Sequence, residues 1–480
     1  MQIISWQFVV FYLIVLIVYF FLPRRSQDIW LLIASFFFLA TWNVYSVAIL
    51  TASILFNYVI GLKIWQGARM SRKWLWLGII INVLTLFIFR LGSSGYLEKG
   101  IRAFLHLSDP AGSFELSILL PVGFSYYCLQ AISYLVDISK KQCEPSNDLV
   151  DFGLYMAYFP RMLAGPIERA RSFLPILSNP RIVDNDRLSR GFIRIVIGLV
   201  RKVIIAGAIS SFIPANLFSE TSSYSSFDLV LRLILYAFWI YNDFAGYTSI
   251  VRGISDLFGI DLSPNFDTPY FAHSFTDFWN RWHISLSHWL RDYIFFPFSR
   301  TLLRKRINPR SITYLSLPPI LTMLISGLWH SFGAFVVIWG LLHGIFQVLE
   351  KLASRGKTIV NWDGKSKFER AGSIFLVFIG VVIAWLPFAS GSLYRVKDFI
   401  SSIMTSTIKP EINTLLLIPL FAVGLSYCLD LIHYIHKDEL AFRRWPVLSQ
   451  SIALAIAILA ITVSLLGGQS ALANFVYQGF

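Results

Sequence analysis

Long apolar segments recur from one end of the chain to the other, and short polar loops separate them. A membrane-spanning helix needs about 20 apolar residues at a rise of about 1.5 Å each. The segments that approach this length are Ile4–Leu22, Asp28–Trp42, Val44–Trp65, Trp74–Leu91, Leu116–Ile138, Leu188–Phe212, Phe227–Ile250, Ile312–Leu328, Phe332–Leu349, Ala371–Ala389, Leu415–Ile435 and Leu448–Leu466. Because the second is short and can form a bent hairpin with the third, we predict about 11 or 12 spans. Ile4–Leu22 lacks the basic start and the cleavage site of a signal peptide, which predicts a retained span.

Two segments are too polar to face lipid and too apolar to be free loops. Asp151–Leu177 is half apolar and is then broken by Pro160, Gly165 and Pro166, whereas Asn265–Arg300 combines many aromatic residues with Asp, Arg and His. Irregular backbone at membrane depth is tolerated only where protein buries it or where it lines water. We therefore predict re-entrant or interfacial helices on the cytoplasmic side. The predicted fold class is an all-α polytopic membrane protein with a single integral-membrane domain over residues 1–480.

Composition supports a membrane protein and excludes a nucleic-acid-binding surface. The chain is 56% hydrophobic and 14% charged, with a mean hydropathy of +0.63, whereas a soluble globular chain is about a quarter charged. The net charge of +14 lies mainly in short loops, as the positive-inside rule expects. The loops at Lys63–Lys73, Arg300–Arg310 and Lys351–Lys357 are therefore predicted to be cytoplasmic, with the N-terminus outside. The three cysteines show no CxxC pair and no metal-ligand spacing, so we expect them to be inert.

Polar residues inside the apolar pattern are the candidates for chemistry, because ionisable groups at bilayer depth are functional candidates. They are Asn242, Asp243, Arg281, His283, His288, Arg291, Asp292, His330 and His343. The sequence contains no phosphate-binding glycine loop, nucleophile elbow or HExxH motif, and we predict no metal site. An imidazole among aromatic residues suits general-base catalysis, since its pKa lies near the operating pH. From the residues alone, a packing histidine is the commoner alternative, and we interpret His288 and His343 in that way.

The order of these residues resembles the membrane-bound O-acyltransferase family. The resemblance lies in NRWHISLS (residues 280–287), the following Trp289 and Arg291-Asp292-Tyr293, and GLWH (residues 327–330). The segments YNDFAGYTS, AGPIERA and LLPVGFSYYCLQAISYLVD are also similar to family segments, so the likeness covers about residues 119–344. It points to the bacterial branch that contains the alginate O-acetylation membrane protein and the teichoic acid D-alanyl transferase. Ser331 and Phe332 stand where many relatives have Gly-Ala, which leaves the acceptor open.

The resemblance implies roles for individual residues. His330 matches the catalytic histidine of the family, at the floor of a tunnel between a cytoplasmic donor and an external acceptor. His283 matches its second motif histidine, which is either a second catalytic or donor-contacting residue or a hydrogen-bonded scaffold. The tryptophans Trp282, Trp289 and Trp329 would line the tunnel. The candidates for substrate contact or for scaffolding are Asn280, Arg281, Asp243 and Asp292. We favour an Asp243–Arg281 ion pair that orients the block.

The function implied is transfer of an acyl group, foremost acetyl, from a cytoplasmic thioester donor such as acetyl-CoA to hydroxyls of an exported or cell-envelope polysaccharide. Transfer is direct or through a periplasmic or membrane-anchored acetyltransferase partner, and no cofactor is expected to stay bound. The expected location is the bacterial cytoplasmic (inner) membrane, in contact with lipid and not with nucleic acid. Two alternatives stay open: a teichoic acid D-alanyl transferase, and a proton-coupled transporter or flippase of an envelope precursor. Transporters usually show paired halves, and no internal repeat is visible here.

Overall fold

The structure, a computed structural model, describes residues 1–67, 70–93, 121–354, 366–411 and 414–466. Every regular element in these ranges is a helix. The first residues of the predicted span Leu116–Ile138, and parts of the basic loops at Lys63–Lys73 and Lys351–Lys357, lie outside the described residues. Two compact units are present, Met1–Gly191 with Ile254–Ser263, and Phe192–Gly253 with Pro264–Phe480. The single integral-membrane domain stays a prediction.

Three helices of the first unit start at side-chain caps. Its helices are α1 (Trp6–Phe21), α2 (Arg24–Ala40), α3 (Val44–Gln66), α4 (Ser71–Ser93), α5 (Phe124–Ser139), α6 (Leu149–Ala157) and α7 (Ala170–Ser178), followed by α8 (Asn185–Leu199), which continues into the second unit. The side chains of Ser5, Asn43 and Asp148 accept hydrogen bonds from backbone N–H groups in the first turns of α1, α3 and α6. Such caps satisfy donors that have no partner within the helix.

The second unit contains the longest helix and the block that the sequence marks as unusual. After a π-helical segment, Val200–Ile205, its helices are α9 (Ala206–Ser210), α10 (Ser226–Asp256), α11 (Phe275–Arg281), α12 (Ile284–Leu290), α13 (Phe296–Arg304), α14 (Ile312–His330), α15 (Ala334–Ala353), α16 (Lys367–Ser390), α17 (Leu393–Thr405), α18 (Leu417–His436) and α19 (Val447–Leu466). A second π-helical segment, Arg291–Phe295, joins α12 to α13. Neither polar segment of the sequence forms a span; both fold into short helices.

Eight helices in the described part of the chain are long and apolar enough to cross a membrane: α3, α4, α10, α14, α15, α16, α18 and α19. The polytopic all-α prediction is therefore confirmed. The other four predicted spans are also helical, but α1, α2 and α5 are only 16, 17 and 16 residues long. The fourth, Leu188–Phe212, is divided by the π-helical segment between α8 and α9. The predicted count of 11 or 12 spans therefore requires that these shorter or interrupted helices also cross the membrane.

The hairpin of α14 and α15 is closed by glycines that allow one backbone to approach the other. A Cβ atom on Gly327 would lie within 3.0 Å of the Val336 carbonyl oxygen, and one on Gly340 would meet the Met323 carbonyl oxygen in the same way. Small residues at such positions let membrane helices pack closely. Because His330 is the last residue of α14, this contact also fixes the position of His330.

We expect Gly340→Ala to destabilise the protein by about 1–3 kcal/mol, because the added methyl group forces a backbone shift in a close-packed interface. Gly372→Ala in α16 is the matched control, since a Cβ there would have no atom within 4 Å. Thermal melting in detergent measures both variants. An equal melting temperature for Gly340→Ala and Gly372→Ala would contradict this account of the hairpin.

Candidate active site

The two motif histidines lie in one buried cluster of rings in the second unit. His330 is 3% exposed and His283 is 1% exposed. Trp329 lies between them, with its ring centroid 6.1 Å from that of His283 and 4.7 Å from that of His330. The structure therefore brings together residues that are far apart in the sequence.

The conformation of His283 is set by backbone pairing on both sides of it. The Ile284 N–H donates to the Asn265 carbonyl at 2.9 Å, and the Asp267 N–H donates to the Arg281 carbonyl at 3.0 Å. His283 itself has φ +41°, in the left-handed region that costs an L-residue roughly 1–2 kcal/mol. Burial lowers the pKa of its imidazole to about 3, so the ring is neutral at physiological pH.

The left-handed backbone gives a test of whether His283 is scaffold or reactant. We expect His283→Ala and His283→Gly both to lower the melting temperature, since both lose a buried ring. Glycine adopts positive φ without strain, so His283→Ala should be the less stable of the two by about 1–2 kcal/mol. Melting and acyl transfer are measured together. If both variants melt like the wild type and are inactive, His283 is a catalytic partner and not a scaffold.

A third histidine belongs to the same cluster. Trp339 of α15 lies 5.5 Å from His330 and 5.0 Å from His343, measured between ring centroids. His343 is 1% exposed, and within the described part of the chain neither of its ring nitrogens has a hydrogen-bond partner. Sequence reasoning interpreted His343 as packing and gave no role to Trp339. The sequence did contain a signal for them, because Trp339 and His343 are four residues apart and therefore share a face of one helix.

Large aromatic rings surround the histidines. Phe388 lies 5.5 Å from His330, and Trp385 lies 5.3 Å from Phe388 and 5.2 Å from Trp282. Trp282, Trp339 and Trp385 are among the largest fully buried side chains. Of the three tryptophans predicted to line a tunnel, Trp282 and Trp329 therefore belong to this cluster. The ring centroid of Trp289 lies 5.1 Å from that of Tyr293.

The predicted Asp243–Arg281 ion pair is wrong. Asp243 on α10 pairs with Lys202 of the π-helical segment, and both side chains are buried. Arg281 donates instead to Asp277, one turn earlier in α11, at 2.8 Å. The spacing of residues in the sequence does not identify Lys202 as the partner of Asp243, because Lys202 lies in a different helical segment. Asp292 lies beside Arg291 at 3.3 Å.

A second buried polar network crosses α10 and α18, and of its members the sequence analysis named only Asn242. Asp430 accepts hydrogen bonds from Arg201 and from the Tyr241 hydroxyl. The amide of Asn242 donates to the Ser426 hydroxyl at 2.8 Å. The available signal was a lone Asp or Arg in an apolar helix. Such a residue indicates a buried partner, because charged residues inside membranes pair with one another.

Asn280 and Arg281 lie apart from the ring cluster, on the wall of a cavity of about 1270 Å³. Its other acidic, basic or histidine lining residues are Arg252, Asp267, His273, Asp277, Glu350, Lys351, His433, Lys437, Asp438 and Glu439. The cavity also touches Ile284, the residue after His283. A polar cavity thus adjoins the backbone that holds the buried histidine. Among the described residues, no group of three or more His, Cys, Asp or Glu side chains is placed to hold a metal ion.

Fold and site together define a multi-pass membrane protein with imidazoles enclosed by aromatic rings beside a polar cavity. The sequence profile of the MBOAT, membrane-bound O-acyltransferase, family matches residues 146–388. The "Probable alginate O-acetylase AlgI" of Pseudomonas syringae pv. tomato is 32% identical over 78% of this chain and 70% of the relative. The chain belongs to the membrane-bound O-acyltransferase family, and it is an O-acyltransferase.

Two further relatives act on other acceptors by their names. The "Peptidoglycan O-acetyltransferase" of Helicobacter pylori is 33% identical over 66% of this chain and 63% of the relative. The "Teichoic acid D-alanyltransferase" of Streptococcus thermophilus is 28% identical over 58% of this chain and 71% of the relative. The chain is therefore similar to relatives whose names give different acceptors and different acyl groups.

Proposed function

We propose that this O-acyltransferase moves acetyl groups from a cytoplasmic thioester donor to hydroxyls of an exported or cell-envelope polysaccharide, with His330 as general base. The observation that carries the proposal is the position of His330, buried at the end of a spanning helix among Trp329, Trp339 and Phe388. An imidazole held in this way accepts a proton while the surrounding rings exclude the water that would hydrolyse an acyl donor.

The proposed reaction is a single acyl transfer. An imidazole nitrogen of His330 takes the proton of the acceptor hydroxyl as that oxygen attacks the thioester carbonyl. The new C–O bond forms, the C–S bond breaks, and the proton passes to the departing thiolate. A positioned general base contributes roughly 10²–10⁴-fold to such a step. His283 supports the ring cluster around His330 by fixing the backbone beside Trp282.

The cavity that contains Asn280 and Arg281 is the proposed entrance for the donor. It borders Pro309 and Lys351, which lie in or next to loops predicted to be cytoplasmic by their positive charge. At about 1270 Å³ the cavity exceeds the roughly 300–1,000 Å³ of ordinary small-molecule sites, which leaves room for a ligand as large as acetyl-CoA or another acyl thioester. Asp292, next to Arg291 in the second π-helical segment, is proposed as scaffold.

Acetyl is favoured over D-alanyl because the two relatives with the higher identities, at 32% and 33%, are named as acetyl-transferring enzymes. The D-alanyl-transferring relative is less identical, at 28%.

Transfer to the polymer is proposed to be direct or through a periplasmic or membrane-anchored acetyltransferase. The proposed location is the bacterial inner membrane, with the loop Arg300–Arg310 facing the cytoplasm. Labelling of a cysteine in that loop from outside intact cells would contradict this orientation.

Deletion of the gene tests the proposed function. Acids released by mild base from purified envelope and secreted glycans are measured in the deletion strain and after complementation. Loss of acetate that only the active gene restores is the expected result. Loss of D-alanine instead would favour the teichoic acid reaction, and an accumulated lipid-linked precursor with unchanged acyl groups would favour a transporter.

A further inference from the structure

A second cavity in the same unit, of about 510 Å³, runs along the spanning helices and is walled mostly by apolar side chains. Its lining extends on α10 from Tyr241 to Arg252, which is about 16 Å of helix at about 1.5 Å per residue. On α18 it extends from Phe421 to His433, about 18 Å by the same measure. The cavity is therefore elongated in the direction of the helices, as an extended hydrocarbon chain is.

One wall of this cavity is the outer helix α19, whose only buried residue is Ile461. Ala453, Ala457 and Ala460 of α19 line the cavity, and their spacing of four and three residues places them on one face of the helix. Their short side chains leave space between α19 and the rest of the unit. A helix so exposed lies against lipid, which gives lipid chains access to the cavity.

Charged residues gather at one end of the cavity. Glu439 pairs with Arg194 at 2.6 Å and also with Arg252. Burial alone would raise the pKa of Glu439, but the two guanidinium groups lower it to about 2. The carboxylate is therefore ionised. Three arginines and one glutamate are among the lining residues, and Arg201 is paired with Asp430 farther along. The charged end thus carries more guanidinium than carboxylate groups.

We propose that this cavity binds an anionic phospholipid, with one acyl chain along the apolar walls and the phosphate at the end that holds Arg194 and Arg252. Guanidinium groups bind phosphate oxygens well because their N–H groups match them in pairs. Basic pockets between membrane helices are a known way of binding anionic head groups. The lining residues do not include His330, Trp329, Trp339 or Phe388. Arg252, Phe266, His433 and Glu439 also line the cavity proposed as the donor entrance, so the lipid head group would lie beside that entrance.

This site adjoins the catalytic block through at least three residues, one of which is Asn265, whose carbonyl accepts the Ile284 N–H beside His283. Tyr241 and Phe266 line the cavity, and their ring centroids lie 6.1 Å and 5.1 Å from that of Trp282. A lipid chain against Tyr241 and Phe266 would support the wall on which Trp282 packs. The proposal is nevertheless independent of the acyl group and of the acceptor, because binding is measured without catalysis.

The test compares the purified protein in nanodiscs of phosphatidylglycerol and of phosphatidylcholine. Wild type should melt about 2–4 °C higher in phosphatidylglycerol, as a ligand of the folded state requires, and should carry phosphatidylglycerol into the mass spectrometer under native conditions. Ala457→Phe fills the cavity and should lose both effects. Ala455→Phe is the matched control, because Ala455 is exposed on the same helix and does not line the cavity.

Two outcomes would overturn the proposal. Equal melting of the wild type in the two lipids would do so without any variant. If Ala457→Phe keeps the phosphatidylglycerol effect and the bound lipid, the effect comes from the general surface charge of the membrane and not from this cavity. Ala453→Phe serves as a second filling variant if Ala457→Phe does not fold, and retention of the lipid by Ala453→Phe counts equally against the site.

Discussion

His330→Ala should lower acyl transfer at least about 100-fold while the protein still inserts at the wild-type level, because a general base contributes roughly 10²–10⁴-fold. The ring of His330 is enclosed by Trp329, Trp339 and Phe388. Turnover of a thioester donor by the purified protein measures the effect, and the release of acetate from cell glycans by base confirms it in vivo.

His436→Ala is the control for this substitution, since His436 is an exposed histidine at the end of α18. It should keep full turnover. If His330→Ala retains more than about a tenth of the wild-type turnover, general-base catalysis by His330 is excluded and the ring is only part of the packing.

Lys202→Met should destabilise the protein by about 3–5 kcal/mol, because it leaves the carboxylate of Asp243 buried without its ammonium partner. Asp243 and Lys202 are each 6% exposed. Thermal melting in detergent should show a large loss, and the yield of folded protein should fall with it.

The double variant Lys202→Met with Asp243→Asn separates charge from shape. Neutralising both members of a buried pair is far less costly than removing one, so the double variant should recover most of the lost stability. A double variant as unstable as Lys202→Met would contradict this explanation, as would a Lys202→Met protein that melts like the wild type.

The sequence was sufficient to predict where helices lie but not where they are interrupted. Apolar length located the eight helices that are long enough to span and the four shorter or interrupted ones, because lipid imposes that length on any span. The π-helical segment Val200–Ile205 inside Leu188–Phe212 has no such signature. Arg201 and Lys202 of this segment pair with Asp430 and Asp243 on other helices, and such tertiary contacts cannot be read from apolar length.

The same limit applies to the site. The motif histidines His283 and His330 were found from sequence because their neighbours resemble a family, and the structure places both in one cluster. Trp339 and Trp385 were missed, since an aromatic residue in an apolar helix looks the same whether it faces lipid or a site. The choice of Arg281 as partner for Asp243 failed for a related reason: sequence gives the charges in a membrane block but not the distances between them.

The close backbone contact between α14 and α15 has a consequence for altering this enzyme by mutation. Because Gly327 and Gly340 bring main chain against main chain, the spacing of the hairpin does not depend on the side chains of its outer faces. Outward residues such as Leu341 and Ile345, which are exposed, are therefore free to vary among apolar types. A library that seeks a new acyl or acceptor range should keep both glycines fixed and diversify the aromatic neighbours of His330.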